Sequence, residues 1–138
     1  ISDIRALSTL TNLTALSAEE NQINDINPLG GLTNLEYLTI TANQVSDIGV
    51  LSGLYRLRTL RMGENQISDI SSLSSLTNLT TLDLSSNHIS DIVALVSNPG
   101  LAAGDTVDVR WNQLIIAPGS PDMLNIQALE GRGVNVSY

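Results

Sequence analysis

The chain restarts itself every 22 residues: close copies of one hexapeptide stand at residues 21–26 (NQINDI), 43–48 (NQVSDI), 65–70 (NQISDI) and 87–92 (NHISDI). Counting from Ile67, apolar residues fall at offsets 0, 3, 6, 9, 12, 15 and 17, namely Ile67, Ile70, Leu73, Leu76, Leu79, Leu82 and Leu84. The same offsets counted from Ile1, Ile23 and Val45 give four turns in which all 28 slots are apolar. An α-helix would repeat at 3.6 residues. Steps of three drift around a helix surface, whereas the closing step of two is the alternation of a strand. Each turn therefore reads as a short strand followed by a tight, non-α return. A 22-residue unit cannot bury its apolar side chains alone, so neighbouring turns must stack and share one elongated core. The chain is predicted to be a solenoid.

The segments LTNLEYLTITANQVSDI (32–48) and LTNLTTLDLSSNHISDI (76–92) resemble leucine-rich repeats of the internalin-like 22-residue type found in bacteria, over about residues 1–92. The resemblance implies an α/β leucine-rich-repeat solenoid: LxxLxL segments form a parallel β-sheet on the concave face, and 3₁₀ or irregular returns form the convex side. It also implies that Asn21, Asn43, Asn65, Asn87 and Asn112, at the position after each strand, hydrogen-bond backbone at the turn.

After Asn87 the spacing stretches to 25, because residues 97–114 (SNPGLAAGDTVDVRWNQL) contain extra positions, which predicts a longer convex excursion. Residues 120–133 (SPDMLNIQALEGRG) then predict a helix, with Ser120 as N-cap, Pro121 at the first helical position and Gly131 as terminator. A terminal strand is expected at Gly133–Ser137. The expected organisation is a single leucine-rich-repeat domain over 1–138, regular over 1–92 and closed over 93–138 by a longer repeat, helix and strand. This closing segment resembles that of many bacterial leucine-rich-repeat proteins and departs from internalins, which continue into an immunoglobulin-like region. At the other end, residues 1–10 supply the return of a turn whose strand and polar cap are not in the sequence. The strand from Leu13 to Glu20 is expected to be an open edge, either continued in a longer chain or buried against a partner, self-association included.

Asp3, Asp25, Asp47, Asp69 and Asp91 share one slot of the repeat, and stacking at ~4.8 Å would set them in a self-repelling row. Backbone N–H groups or an oxygen-seeking cation such as calcium would offset the repulsion. One acid per turn, with no glycine partner and a 3₁₀-like stretch following, favours hydrogen bonding to orphan donors at the start of each return. Ser2, Asn24, Ser46, Ser68 and Ser90 beside the acids are expected to add local acceptors. No metal or other cofactor is expected.

Fourteen acids against six arginines and no lysine give a net charge of −8, which argues against binding nucleic acid or an anionic membrane by electrostatics. This composition resembles that of proteins adapted to saline water. No cysteine is present, so disulfides and thiolate chemistry are excluded. No apolar run approaches the roughly 18 residues of a transmembrane segment. The resemblance alone implies a secreted or surface-attached protein of a bacterium.

Function is expected on the concave face, where residues six, four and two before each asparagine point outward. The first column reads Ala15, Tyr37, Thr59, Thr81, Thr106 and Gly133; the second Ser17, Thr39, Arg61, Asp83, Asp108 and Asn135; the third Glu19, Thr41, Gly63, Ser85, Arg110 and Ser137. Six strands give a face about 25 Å across. Tyr37, Thr39, Arg61, Asp83, Asp108, Arg110 and Trp111 are the candidate ligand-binding residues, because aromatic and arginine anchors dominate such contacts. Internalins bind host receptors through this face, so the resemblance implies a protein partner, although their concave faces are richer in aromatics. The alternatives are a carbohydrate or cell-envelope module using Tyr37 and Trp111 as stacking platforms, and a solvated face with Arg61–Asp83 and Asp108–Arg110 as plain ion pairs and Trp111 shielding the long final turn. Asp83 and Asp108 on adjacent strands invite comparison with the ~5 Å carboxylate pair of retaining glycosidases. The open face and neighbouring arginines argue against a proton-donating acid, and no enzyme is expected. His88, the single histidine, reads as turn variation, and the sequons at Asn12 and Asn78 arise from the repeated TNLT. A third sequon stands at Asn135.

Overall fold

The computed structural model describes residues 1–138 and turns the three-residue period into a chain of hydrogen bonds. In the second turn the N–H of Leu29 donates to Ile26, Leu32 to Leu29 and Leu35 to Leu32, each at 2.9 Å. The third and fourth turns repeat the pattern through Ile48–Leu51–Leu54–Leu57 and Ile70–Leu73–Leu76–Leu79. The buried residues are thus also the ones that bond one another, which makes the returns 3₁₀ at Arg5–Thr9, Asn27–Leu29, Gly49–Gly53 and Ser71–Ser75. An α-helix is about 10–12 Å wide, twice the ~4.8 Å strand spacing, so these narrow returns keep the convex side in step with the sheet.

Six strands follow, β1 (Ala15–Ser17), β2 (Tyr37–Thr39), β3 (Thr59–Arg61), β4 (Thr81–Asp83), β5 (Thr106–Asp108) and β6 (Asn135–Ser137), paired in parallel in sequence order as one open sheet. Leu16, Leu38, Leu60, Leu82, Val107 and Val136 form one inward row in register. The core is a single cluster of 32 buried apolar residues running from Ile4 to Val134. Of the first seven slots only Ile4 is buried; Ile1 is 77% exposed, because nothing stacks on the outer side of that turn.

The asparagine ladder joins turn to turn. Asn65 Oδ1 accepts the N–H of Val45 at 2.9 Å, and Nδ2 donates to the carbonyls of Ile40, Met62 and Gly63 at 3.0–3.1 Å. Asn43, Asn87 and Asn112 repeat this geometry. The residue before each asparagine is left-handed: Glu20, Ala42, Glu64, Ser86 and Trp111 have φ of 53–56° without being glycine. Two bonds from the following side chain, to the carbonyls one and two places before the left-handed residue, hold a conformation that L-residues otherwise avoid.

Each acid of the row accepts the N–H two residues on: Asp3 from Arg5, Asp25 from Asn27, Asp47 from Gly49, Asp69 from Ser71 and Asp91 from Val93, at 2.7–2.9 Å. The acids stand one place before the helical N-cap, at Ile4, Ile26, Ile48, Ile70 and Ile92, so they bond the first donor of the return and not the second or third. The neighbours Ser2, Asn24, Ser46, Ser68 and Ser90 are exposed and make no side-chain hydrogen bond, contrary to the expectation that they share this work.

The longer fifth return winds into a short α-helix, α1 (Val93–Ser97), where only an excursion was expected. Asn98, fully buried, donates to the carbonyls of Leu73 and Leu76 and accepts from Gly100. Arg132 reaches back to the α1 carbonyl of Val96 and to Asn98 at 2.6 and 3.2 Å. The closing helix α2 spans Pro121–Glu130, with Ser120 Oγ accepting the N–H of Met123 at 3.2 Å and Gly131 at its C-cap. The last strand is corrected by two residues. Gly133, at φ 85°, completes the turn out of α2, so pairing starts at Asn135, opposite Thr106, and Ser137 faces Asp108.

Candidate binding face on the concave sheet

The outward side chains of six in-register strands share one surface. Its central part is an open concavity of about 480 Å³ to which β3, β4 and β5 contribute Arg61, Asp83 and Asp108, bordered by Thr41, Thr81 and Thr106. Gly63 makes room for it: a Cβ there would lie 2.9 Å from Ser85 Oγ and 3.2 Å from Asp83 Oδ1. Of the seven expected binding residues, only Arg61, Asp83 and Asp108 line this concavity. Tyr37 and Thr39 lie on β2, with Tyr37 half exposed, and Arg110 and Trp111 stand past the end of β5. Tyr37 and Trp111 belong to strands three spacings apart, about 14 Å, and to opposite ends of those strands, so they do not form one stacking platform.

The charges pair differently from expectation. Register sets Arg61 opposite Asp83, yet no ion pair forms; Asp83 Oδ1 accepts the N–H and Oγ of Ser85 within its own turn at 3.0 and 2.7 Å. Arg61 is an exposed cation that makes no ion pair within the chain. Asp108 and Arg110 do pair, with two guanidinium nitrogens on the carboxylate at 2.6–3.1 Å and the Arg110 N–H on Oδ1 at 3.0 Å. Burial opposes the charge on Asp108, but the Arg110 hydrogen bonds outweigh it and hold the carboxyl below its usual range. The hydrogen bonds and charge of Asp108 raise Arg110 in turn. Arg110 Cζ lies 4.8 Å from the Trp111 ring centroid, a cation–π contact. Trp111 is 70% exposed. Asp83 and Asp108 face each other across β4 and β5, Asp83 accepting from Ser85 and Asp108 from Arg110.

Sequence reasoning passed over a second cluster. Where the other turns read TNLT, TNLE and TNLT at residues 11–14, 33–36 and 77–80, the third reads YRLR at residues 55–58. Arg56, Arg58, Glu36 and Asn78 line a polar hollow of about 220 Å³ on the flank where the chain enters the sheet. The signal was visible as a break in the repeat.

A family model for leucine-rich repeats in two copies matches residues 11–53 and 55–97. Internalin C2 from Listeria monocytogenes has a solved structure similar to this one, with a TM-score of 0.84, 33% identity and coverage of 99% of this chain and 57% of its own. A Listeria monocytogenes internalin F structure gives 0.68 and 31%, covering 100% of this chain and 47% of its own. The chain thus spans about half the length of these two structures. The leucine-rich-repeat ectodomain of a plant membrane receptor kinase from Arabidopsis thaliana shares the fold at a TM-score of 0.77 and 21% identity, over 99% of this chain and 16% of its own. No curated protein sequence matches the chain.

Proposed function

The chain belongs to the leucine-rich-repeat family, in the internalin-like form built on 22-residue turns, and on that premise we propose that it is a non-enzymatic module holding a protein partner on its concave strands. The observation that carries the reading is Arg61, a cation with no ion-pair partner in the middle of a surface on which Asp108 is paired with Arg110 and Asp83 is bonded to Ser85. A guanidinium at the centre of an interface is a typical energetic anchor, worth ~2 kcal/mol or more when truncated. Threonine hydroxyls around it supply hydrogen bonds, and Trp111, stiffened by Arg110, supplies an apolar contact at the rim. The family resemblance supports a role outside the cell or at a bacterial surface. No helix is long and apolar enough to cross a membrane.

Wild-type protein, Arg61→Glu and the convex control Ser74→Glu are immobilised and exposed to extracellular protein extracts and to glycan arrays. A partner protein bound at least ~30-fold more weakly by Arg61→Glu than by the other two supports the proposal, that factor corresponding to about 2 kcal/mol. Equal retention by all three, or binding confined to glycans, refutes it.

A further inference from the structure

In a solenoid every turn is a control for its neighbours, and the third turn gives up a bond that the second and fourth keep. Asn34 Nδ2 donates to the carbonyl of Thr11 at 2.9 Å, and Asn78 Nδ2 donates to that of Tyr55 at 2.7 Å, tying adjacent turns at the entry to the sheet. Arg56 occupies the same slot and does not make this bond, and the Thr33 carbonyl accepts no hydrogen bond from the chain. The Arg56 guanidinium instead donates to Asn34 Oδ1 at 3.0 Å, which leaves its charge without a counter-ion. Arg58 lies 3.7 Å from Glu36, an exposed and loose pair. Tyr55, beside them, is 60% exposed where the other turns carry threonine. Three substitutions in four residues thus lose a ladder bond and expose an aromatic ring without adding to the core, the kind of local inconsistency that marks a functional surface.

We propose that Tyr55, Arg56 and Arg58 form a second docking surface, separate from the concave face, for a short acidic segment of a protein partner. Two guanidiniums lining one hollow match a carboxylate, which arginine binds in a planar, two-pronged geometry. Tyrosine and arginine together are the composition of protein contacts. Charge sets the size of the ligand. The patch has one positive charge in excess of Glu36, on a molecule of net charge −8. A long polyanion would meet the surrounding acids, whereas a single carboxylate inserted between Arg56 and Arg58 meets a local excess of the right sign.

The test returns the turn to its neighbours' sequence with Tyr55→Thr, Arg56→Asn and Arg58→Thr in one variant. Amide and arginine Nε signals are followed by NMR while a two-residue oligoglutamate, capped at both ends, is added to the 138-residue chain. The expected result is saturable shifts at Tyr55, Arg56, Arg58 and Asn78, weakened by salt, and at least tenfold weaker binding by the variant. The variant should also melt about 2–5 °C higher, since one exposed hydrogen bond is regained. Arg61→Ala should bind the oligoglutamate like the wild type. The proposal is overturned by equal binding of variant and wild type, by loss of binding in Arg61→Ala, or by a lower melting point of the variant. Tighter binding of inorganic phosphate or of phosphatidylserine vesicles than of oligoglutamate also overturns it. So does a concentration-dependent dimer that the variant abolishes, because the occupant would then be a second copy.

Discussion

Replacing Asn65 by alanine tests whether the asparagine ladder is a stabilising bond system or a by-product of the turn. Asn65 is 7% exposed and makes four hydrogen bonds, but its losses are unequal. The carbonyl of Ile40 keeps Asn43, that of Met62 keeps Asn87, and that of Gly63 keeps the N–H of Ala42. Only the Val45 N–H is left wholly unpaired in a buried place. An orphaned buried donor costs ~1–3 kcal/mol and each shared carbonyl bond ~0.5–1 kcal/mol net, so Asn65→Ala should lose about 3 kcal/mol. That is a large part of the roughly 7–20 kcal/mol expected for a chain of this length. Asn21→Ala is the control: Asn21 is only partly buried, and its Oδ1 accepts from the nitrogen of the exposed Ile1, which water can satisfy, so its loss should cost ~1 kcal/mol or less. Asn65→Asp separates donor from acceptor. Its carboxylate can still hold the Val45 N–H, but it turns its other oxygen on three carbonyls, which raises its pKa in the folded state. A raised folded pKa means stability that is present at low pH and lost as pH rises through that value. Asn65→Asp should therefore be less stable than Asn65→Ala at pH 7 and gain on it at pH 4. Urea unfolding followed by circular dichroism measures all four proteins. A loss under ~1 kcal/mol for Asn65→Ala, or equal losses at Asn65 and Asn21, would refute the reasoning, since the orphaned N–H alone should exceed that.

Four further outcomes follow from the geometry. Ala42→Gly should leave the melting temperature unchanged or raise it, because relief of a left-handed alanine at φ 56° offsets the added freedom of the unfolded chain; a fall of more than about 3 °C counts against this. Gly100→Ala should cost more than ~2 kcal/mol in urea unfolding, since the new Cβ would fall 2.0 Å from the Thr77 carbonyl oxygen, against backbone that has no rotamer to yield. Asp108 has a lowered folded pKa, so its contribution is full above the unfolded value near ~3.9 and is lost as pH falls through the folded one. Asp108→Asn should flatten the acid limb of the stability curve, and an unchanged limb would discard that assignment. Raising salt from ~10 mM to ~1 M shortens the screening length from about 30 Å to 3 Å, so the acid row should repel itself less and the urea midpoint should rise; a flat response would mean that backbone N–H bonds already neutralise the row.

The fold was legible because one set of residues does two jobs. The three-residue step marks both what is buried and what donates to what, so Leu29, Leu32 and Leu35 announce the return and its 3₁₀ bonding together. The left-handed turns were not legible. Sequence rules look for glycine or asparagine at positive φ, but Ala42, Glu64 and Trp111 take that conformation, because the asparagine one place later holds the turn from outside. The slip in β6 has the same origin. Counting apolar residues from α2 cannot see that Gly133 completes a turn before pairing begins, so Asn135 joins the row of Thr106 and not that of Asp108.

The site was legible in its positions and not in its pairings. Strand alternation sets Arg61, Asp83 and Asp108 on the outer face, and register makes them neighbours. Which carboxylate meets which cation is decided afterwards by competition from the local turn. Ser85 offers Asp83 a backbone N–H and a hydroxyl two residues away, bonds that hold no long side chain in place, whereas closing Arg61 onto Asp83 would fix a long flexible chain for an exposed pair worth ~0–1 kcal/mol. Asp108 has no serine two residues on; it has Arg110, whose N–H and guanidinium bind together, so the same slot yields an ion pair. In the third column Ser85 stands where the next strand has Arg110, so Asp83 bonds its own turn while Asp108 takes a cation, and Arg61 makes no ion pair at the centre of the face. On the flank the same logic turns an asparagine-to-arginine exchange at residue 56 into a lost ladder bond and a cation without a counter-ion. The repeat makes the solenoid, and where a turn departs from it without serving the core, the chain presents charge to whatever it meets.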